Sequence, residues 1–84
     1  MLMIEIYSPS VDKSYDFQIS EDTLTKDAII DFASMIAKKN GSSRQGARED
    51  SSLFDVRRKR ELNKGLTLRE NGITNGAKLI LADY

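Results

Sequence analysis

With 84 residues the chain can build only one compact core, so a single domain over residues 1–84 is expected. It contains no cysteine and no histidine, which removes disulfide frameworks, thiolate nucleophiles, Cys/His zinc sites and imidazole acid-base catalysis together. Lysine plus arginine and aspartate plus glutamate both total 13, so no overall field draws the protein to nucleic acid or acidic lipid, and charge acts only locally.

The opening Met1-Leu-Met-Ile4 is apolar but is broken by Glu5 and has no basic residue before it, which fits neither a signal peptide nor a membrane span. A cytoplasmic location without membrane insertion is therefore the expectation. Leu2, Ile4 and Ile6 alternate with Met3, Glu5 and Tyr7, the period-two pattern of a strand with one buried face. Pro9 ends it, Val11 to Ser14 supply a longish turn, and Tyr15, Phe17 and Ile19 alternate with Asp16 and Gln18 in a second, antiparallel strand.

A helix follows. Its N-cap is placed at Thr25, with Thr23 as competitor, Leu24 and Ile29 as a hydrophobic staple, and Asp27 near the positive end of the helix dipole. Ile29, Phe32, Ala33 and Ile36, flanked by Ala28 and Met35, make one face apolar and direct it onto a sheet; Ile30 lies opposite without an explanation. Lys38 and Lys39 suit the last turn, and Asn40-Gly41 suits the end of the helix. Residues 41–52 carry no large apolar side chain and predict a mobile loop. Leu53, Phe54 and Val56 predict a third strand, Arg57 to Arg60 a basic hairpin tip, and Glu61-Leu62 a return strand.

The last third is the most informative stretch. Asn71-Gly72 and Asn75-Gly76 are pairs that reach positive φ readily and close tight turns. They bracket Ile73 and fix the start of Leu79-Ile80-Leu81, whose continuous apolar character marks a strand central to its sheet. Leu79 and Leu81 should face the helix, which turns Ile80 the other way.

This order of elements, with Leu62, Lys64-Gly65, Leu66-Thr67-Leu68, Ile73, Leu79 and Leu81 at their spacings, and Ser20-Glu-Asp-Thr23-Leu24 before the helix, resembles the ubiquitin-like β-grasp superfamily. The resemblance implies an α+β fold, a mixed four- to five-stranded sheet with one helix on one face, in the order β-β-α-β-β-β. Within the superfamily, the stretch from Leu68 to Leu81 looks most like the YukD/EsaB proteins of Gram-positive type VII secretion systems. That implies a cytoplasmic accessory or regulatory component acting through another protein.

Ubiquitin-type modifiers and sulfur carriers use a C-terminal Gly-Gly, because a β-carbon would obstruct the narrow channel leading to adenylation. Here the sequence closes on Ala82-Asp83-Tyr84 and no two glycines are adjacent, so conjugation is not expected. The resemblance instead directs attention to the outer sheet face, where the positions matching ubiquitin's docking patch are Phe54, Ile80 and Ala82. Either these form an exposed patch, uncommon on a monomer and diagnostic of binding, or Phe54 packs under a loop and Ile80 is simply buried.

Arg57, Arg58 and Arg60, with Lys59, are the concentrated charge; they form either a solvated turn or a docking point for an acidic surface or a phosphate-bearing ligand. Nucleic acid usually needs a broader basic surface. No acidic pair has metal-ligand spacing, no glycine set cradles phosphate, and nothing calls for a cofactor or points to catalysis. The expectation is a non-catalytic adaptor that binds a protein, with a covalent modifier carrying an atypical tail, or a homodimer formed through a strand edge, as alternatives.

Overall fold

The computed structural model describes residues 1–41 and 51–82. Its elements are β1 (Leu2–Ser8), β2 (Lys13–Ile19), α1 (Thr25–Lys39), β3 (Ser52–Asp55), β4 (Arg60–Glu61) and β5 (Lys78–Ala82). They form a five-stranded sheet in the order β2-β1-β5-β3-β4. Neighbours are antiparallel except β1 and β5, which run parallel with Ile6 beside Leu79 and Tyr7 beside Ile80. The last strand is thus central, as its apolar run predicts. This is the α+β ubiquitin-like β-grasp architecture.

The alternation along β1 sends Leu2, Ile4 and Ile6 inward, where they meet Phe17, Leu53, Leu79 and Leu81 from the other strands and Ile29, Phe32 and Ile36 from α1. Phe17 and Phe32 pack with ring centroids 4.9 Å apart and tilted planes, a favourable aromatic arrangement that joins helix to sheet. Leu62, Leu68 and Ile73 close the end of this core.

Several local expectations are corrected. Thr25 is not the N-cap but the first helical residue. Leu24 occupies the cap position in an extended conformation and makes no side-chain cap bond, so the Leu24–Ile29 staple has no basis either. The free N–H groups at the helix start are satisfied from a distant part of the chain, Thr25 donating to the Leu66 carbonyl at 2.9 Å and Lys26 to that of Lys64 at 3.3 Å. A tertiary partner has replaced the local one. Met35 is solvent-exposed rather than flanking the buried face, whereas Ala28 is fully buried.

β2 begins at Lys13, two residues earlier than expected, because Asp12 adopts a left-handed backbone (φ 53) and closes a tight turn after Pro9. Val56 falls outside β3 and is exposed, while its N–H still donates to the Lys78 carbonyl at 3.1 Å. Of the polar run expected as a mobile loop over 41–52, residues 42–50 lie outside the described residues; Ser51 and Ser52 are buried, and Ser52 opens β3.

The helix end behaves as its sequence suggests. Asn40 Nδ2 donates to the Tyr15 hydroxyl and to the Ile36 carbonyl, both at 2.7 Å, and Gly41 takes positive φ. The Asn75-Gly76 turn sets β5 beside β1: Met3 N–H donates to Asn75 Oδ1 and Gly76 N–H to the Met3 carbonyl, both at 2.7 Å.

Candidate functional site

On the sheet face away from α1, strand register assembles one row of side chains. Tyr7 lies beside Ile80, Ile80 beside Phe54, and Phe54 beside Glu61, with Ser52 and Ala82 paired one step along. Period-two alternation explains the row, since each of these residues neighbours inward-facing Ile6, Leu79, Leu81, Leu53 or Leu62. Phe54, Ile80, Ala82 and Tyr7 are all half-buried. Phe54 and Ile80 therefore belong to neither extreme: they lie outside the core cluster and retain access to solvent. Met3 extends this face from β1 and is exposed.

Tyr7 was not singled out from sequence, because its place beside Ile80 depends on the parallel pairing of β1 with β5. Its hydroxyl donates to Asp12 Oδ1 at 2.6 Å across the β1–β2 turn. That hydrogen bond, followed by desolvation and the nearby negative charge, raises the phenol above the ordinary tyrosine value, since ionisation would lose the donor.

The four basic residues after β3 are not equivalent. The Asp55 carboxylate organises their turn by accepting the Arg57 and Arg58 N–H groups at 3.0 and 3.3 Å, and Lys59 takes positive φ. Arg58 Nη1 and Arg60 Nη2 then donate to the Asn71 carbonyl at 3.4 and 2.6 Å. Two of the three candidate arginines are thus folded back onto the loop before β5. Among the described residues, Arg57 and Lys59 make no side-chain hydrogen bond or ion pair.

Asn71 is the residue that sequence reasoning undervalued. Treated as half of a turn signal, it is in fact buried, and its side chain joins three segments. Nδ2 donates to Thr25 Oγ1, the Asn63 carbonyl and the Thr67 carbonyl, while Oδ1 accepts the Asn63 N–H at 2.9 Å. No buried side-chain nitrogen or oxygen among the described residues is left without a partner. The set is structural, and it supports the wall against which Arg58 and Arg60 rest.

The fold is of the ubiquitin-like class. It is similar along its whole length to the solution structure of a computationally designed protein based on human erythrocytic ubiquitin, with a TM-score of 0.66, 28% identity and coverage of 100% of this chain and 92% of that one. It is also similar to the solution structure of an N-terminal ubiquitin-like domain, with a TM-score of 0.67, 15% identity and coverage of 99% and 74%. A third similarity is to a chain in the crystal structure of ATBAG1 in complex with HSP70, with a TM-score of 0.66 and 16% identity; it spans 99% of this chain and 41% of that one. No protein-family model and no curated protein matches the sequence. Among the described residues no helix is long and apolar enough to cross a membrane.

Proposed function

We propose that this domain is a non-catalytic protein-binding adaptor that docks its partner on the outer sheet face. Phe54 and Ile80 form the centre of the contact, Ala82 and Tyr7 its margin, and Arg57, Arg58 and Arg60 its basic flank. The observation that carries this is the direct register of Phe54 with Ile80, both half-buried on the face opposite α1. A half-exposed aromatic beside a β-branched side chain on a rigid sheet offers apolar area with little ordering cost on binding, the property of an interface anchor. One ubiquitin-like neighbour was solved in complex with HSP70, an association that belongs to that complex but fits the general role.

The finer assignment, an accessory or regulatory component of a Gram-positive type VII secretion system acting in the cytoplasm, is supported by the resemblance of Leu68 to Leu81 to the YukD/EsaB proteins. The test is affinity capture from lysate with wild type, Phe54→Ala and Ile80→Asp, each shown to be folded by circular dichroism. Both variants should lose the captured protein, and type VII components should be among what wild type retains. Identical capture by all three chains would remove the sheet face from consideration.

Self-association is a second reading, favoured by the position of the seven-residue β2 at an edge of the sheet. Light scattering over a range of concentrations separates a dimer from a monomer.

A further inference from the structure

Beside the β3–β4 turn the surface folds into a cleft of about 340 Å³. Asp55 to Arg58 form one wall, and the loop from Gly72 to Lys78 forms the other. Ligand sites commonly occupy roughly 300–1,000 Å³, so this one suits a few side chains of a peptide. Its lining includes apolar Ile73, Ala77 and Val56, the last 45% exposed.

The charges on the walls do not cancel. Asp55 is buried, and its carboxylate is occupied by the Arg57 and Arg58 N–H groups and by Arg58 Nε at 3.9 Å, so its charge is satisfied within the turn. Arg57, Arg58 and Lys78 supply the opposite sign. Arg58 is held in place by the Asn71 carbonyl and lies over Gly72, where a β-carbon would collide with its Nη1. Among the described residues, Arg57 and Lys78 enter no ion pair; Glu5, in register with Lys78 across the parallel strands, does not form one with it. One cation is fixed and two are available, in a cleft whose lining is partly apolar.

We propose that this cleft receives an acidic, extended segment of a partner protein, in which carboxylates pair with Arg57 and Lys78 while an aliphatic side chain between them covers Val56 and Ala77. An inorganic anion would leave the apolar part of the lining uncovered. Nucleic acid would require a wider basic surface than these three side chains. The inference rests on the proposed role in protein binding; the cleft shares Arg57 and Arg58 with the basic flank of the sheet-face contact but not Phe54 or Ile80, and the experiment separates the two.

The isotope-labelled protein is titrated with a short acetylated and amidated peptide of alternating glutamate and leucine, and amide shifts are followed by NMR. Shifts are expected at Val56, Gly72, Thr74, Asn75 and Gly76. The double reversal Arg57→Glu with Lys78→Glu, folded by circular dichroism, should weaken binding about tenfold or more, because two ion pairs are lost and each is replaced by a like-charge repulsion. Added salt should weaken it too, and the uncharged truncation Ile80→Ala should leave the shifts intact. Absence of shifts overturns the inference. So do equal shifts from the glutamine-leucine peptide, or the same shifts from inorganic phosphate alone. If Ile80→Ala abolishes the shifts, the peptide sits on the sheet face, and the cleft is overturned while the adaptor role stands.

Discussion

Asn71 donates its side-chain amide to Thr25 Oγ1 at 2.9 Å, across 46 positions of sequence, and so couples the first turn of α1 to the loop that precedes β5. Both residues are buried. The bond does the positional work that a side-chain N-cap would do, from the opposite end of the chain.

Asn71→Ala should therefore destabilise the domain by about 1–3 kcal/mol, because it removes the acceptor of the Asn63 N–H and the side-chain donor to buried Thr25 Oγ1, while the Asn63 and Thr67 carbonyls keep their backbone donors, the Leu66 and residue-71 N–H groups. Thr25→Val removes one acceptor, keeps the shape, and should cost about 1 kcal/mol. Urea unfolding of the two single variants and the double variant should show less than additive losses, since the residues share a bond. Strict additivity would mean that the coupling is not energetic.

Gly76 sits at φ +86 with open space where a β-carbon would lie, so substitution there probes backbone strain alone. Gly76→Ala should cost about 1–2 kcal/mol, and Gly76→Asn noticeably less, because asparagine tolerates the left-handed region better. Thermal unfolding of the two variants tests the order. An alanine variant as stable as wild type would show that the turn can relax.

Tyr7 should ionise above the ordinary tyrosine value of 10.0, and Asp12→Asn should bring it back down. A folded-state pKa raised above the unfolded one contributes stability that is complete below the unfolded value and is lost as pH rises through the folded value. The alkaline limb of stability is thus where Tyr7 acts. Ultraviolet difference titration of wild type and Asp12→Asn measures the shift directly.

At the other end of the pH range, Arg69 makes a two-point contact with Asp22, Nε to Oδ1 at 2.9 Å and Nη2 to Oδ2 at 3.4 Å, and Nη2 also reaches Glu21 at 3.3 Å. Its hydrogen bonds and charge hold the Asp22 carboxyl below the usual 3.8. The contribution is present above that value and fades as pH falls through the lower folded value. Arg69→Gln should lower stability near neutrality and flatten the acid limb, measured by denaturant midpoint, by the same amount, and that amount is small because the pair is exposed.

What the sequence revealed was local. Alternation in Leu2 to Tyr7, the apolar stripe from Ile29 to Ile36, and the run Leu79 to Leu81 each carry their own period, and each element formed where its period placed it. The early start of β2 came from a local turn at Asp12, but the errors that bear on the site occurred where a distant segment supplied a partner. Thr25 looked like an N-cap because no one-dimensional signal announces that the Leu66 and Lys64 carbonyls will face the helix start. Arg58 and Arg60 looked like a free basic tip because nothing near them in sequence predicts the Asn71 carbonyl. Tyr7 and Lys78 entered the candidate surfaces only once the parallel register of β1 with β5 was in hand. Phe54 and Ile80 were legible as outward positions from alternation, but their degree of exposure depends on flanking strands.

The central place of β5 also bears on synthesis of the protein. β1 and β3 share no edge, and the strand that joins them, Lys78–Ala82, is the last to be made. Until it leaves the ribosome, the β1–β2 and β3–β4 hairpins present unpaired edges that invite association with other chains. The domain therefore closes in one late step, and a nascent chain arrested before Lys78 should remain open to protease along β1, where the complete chain is protected.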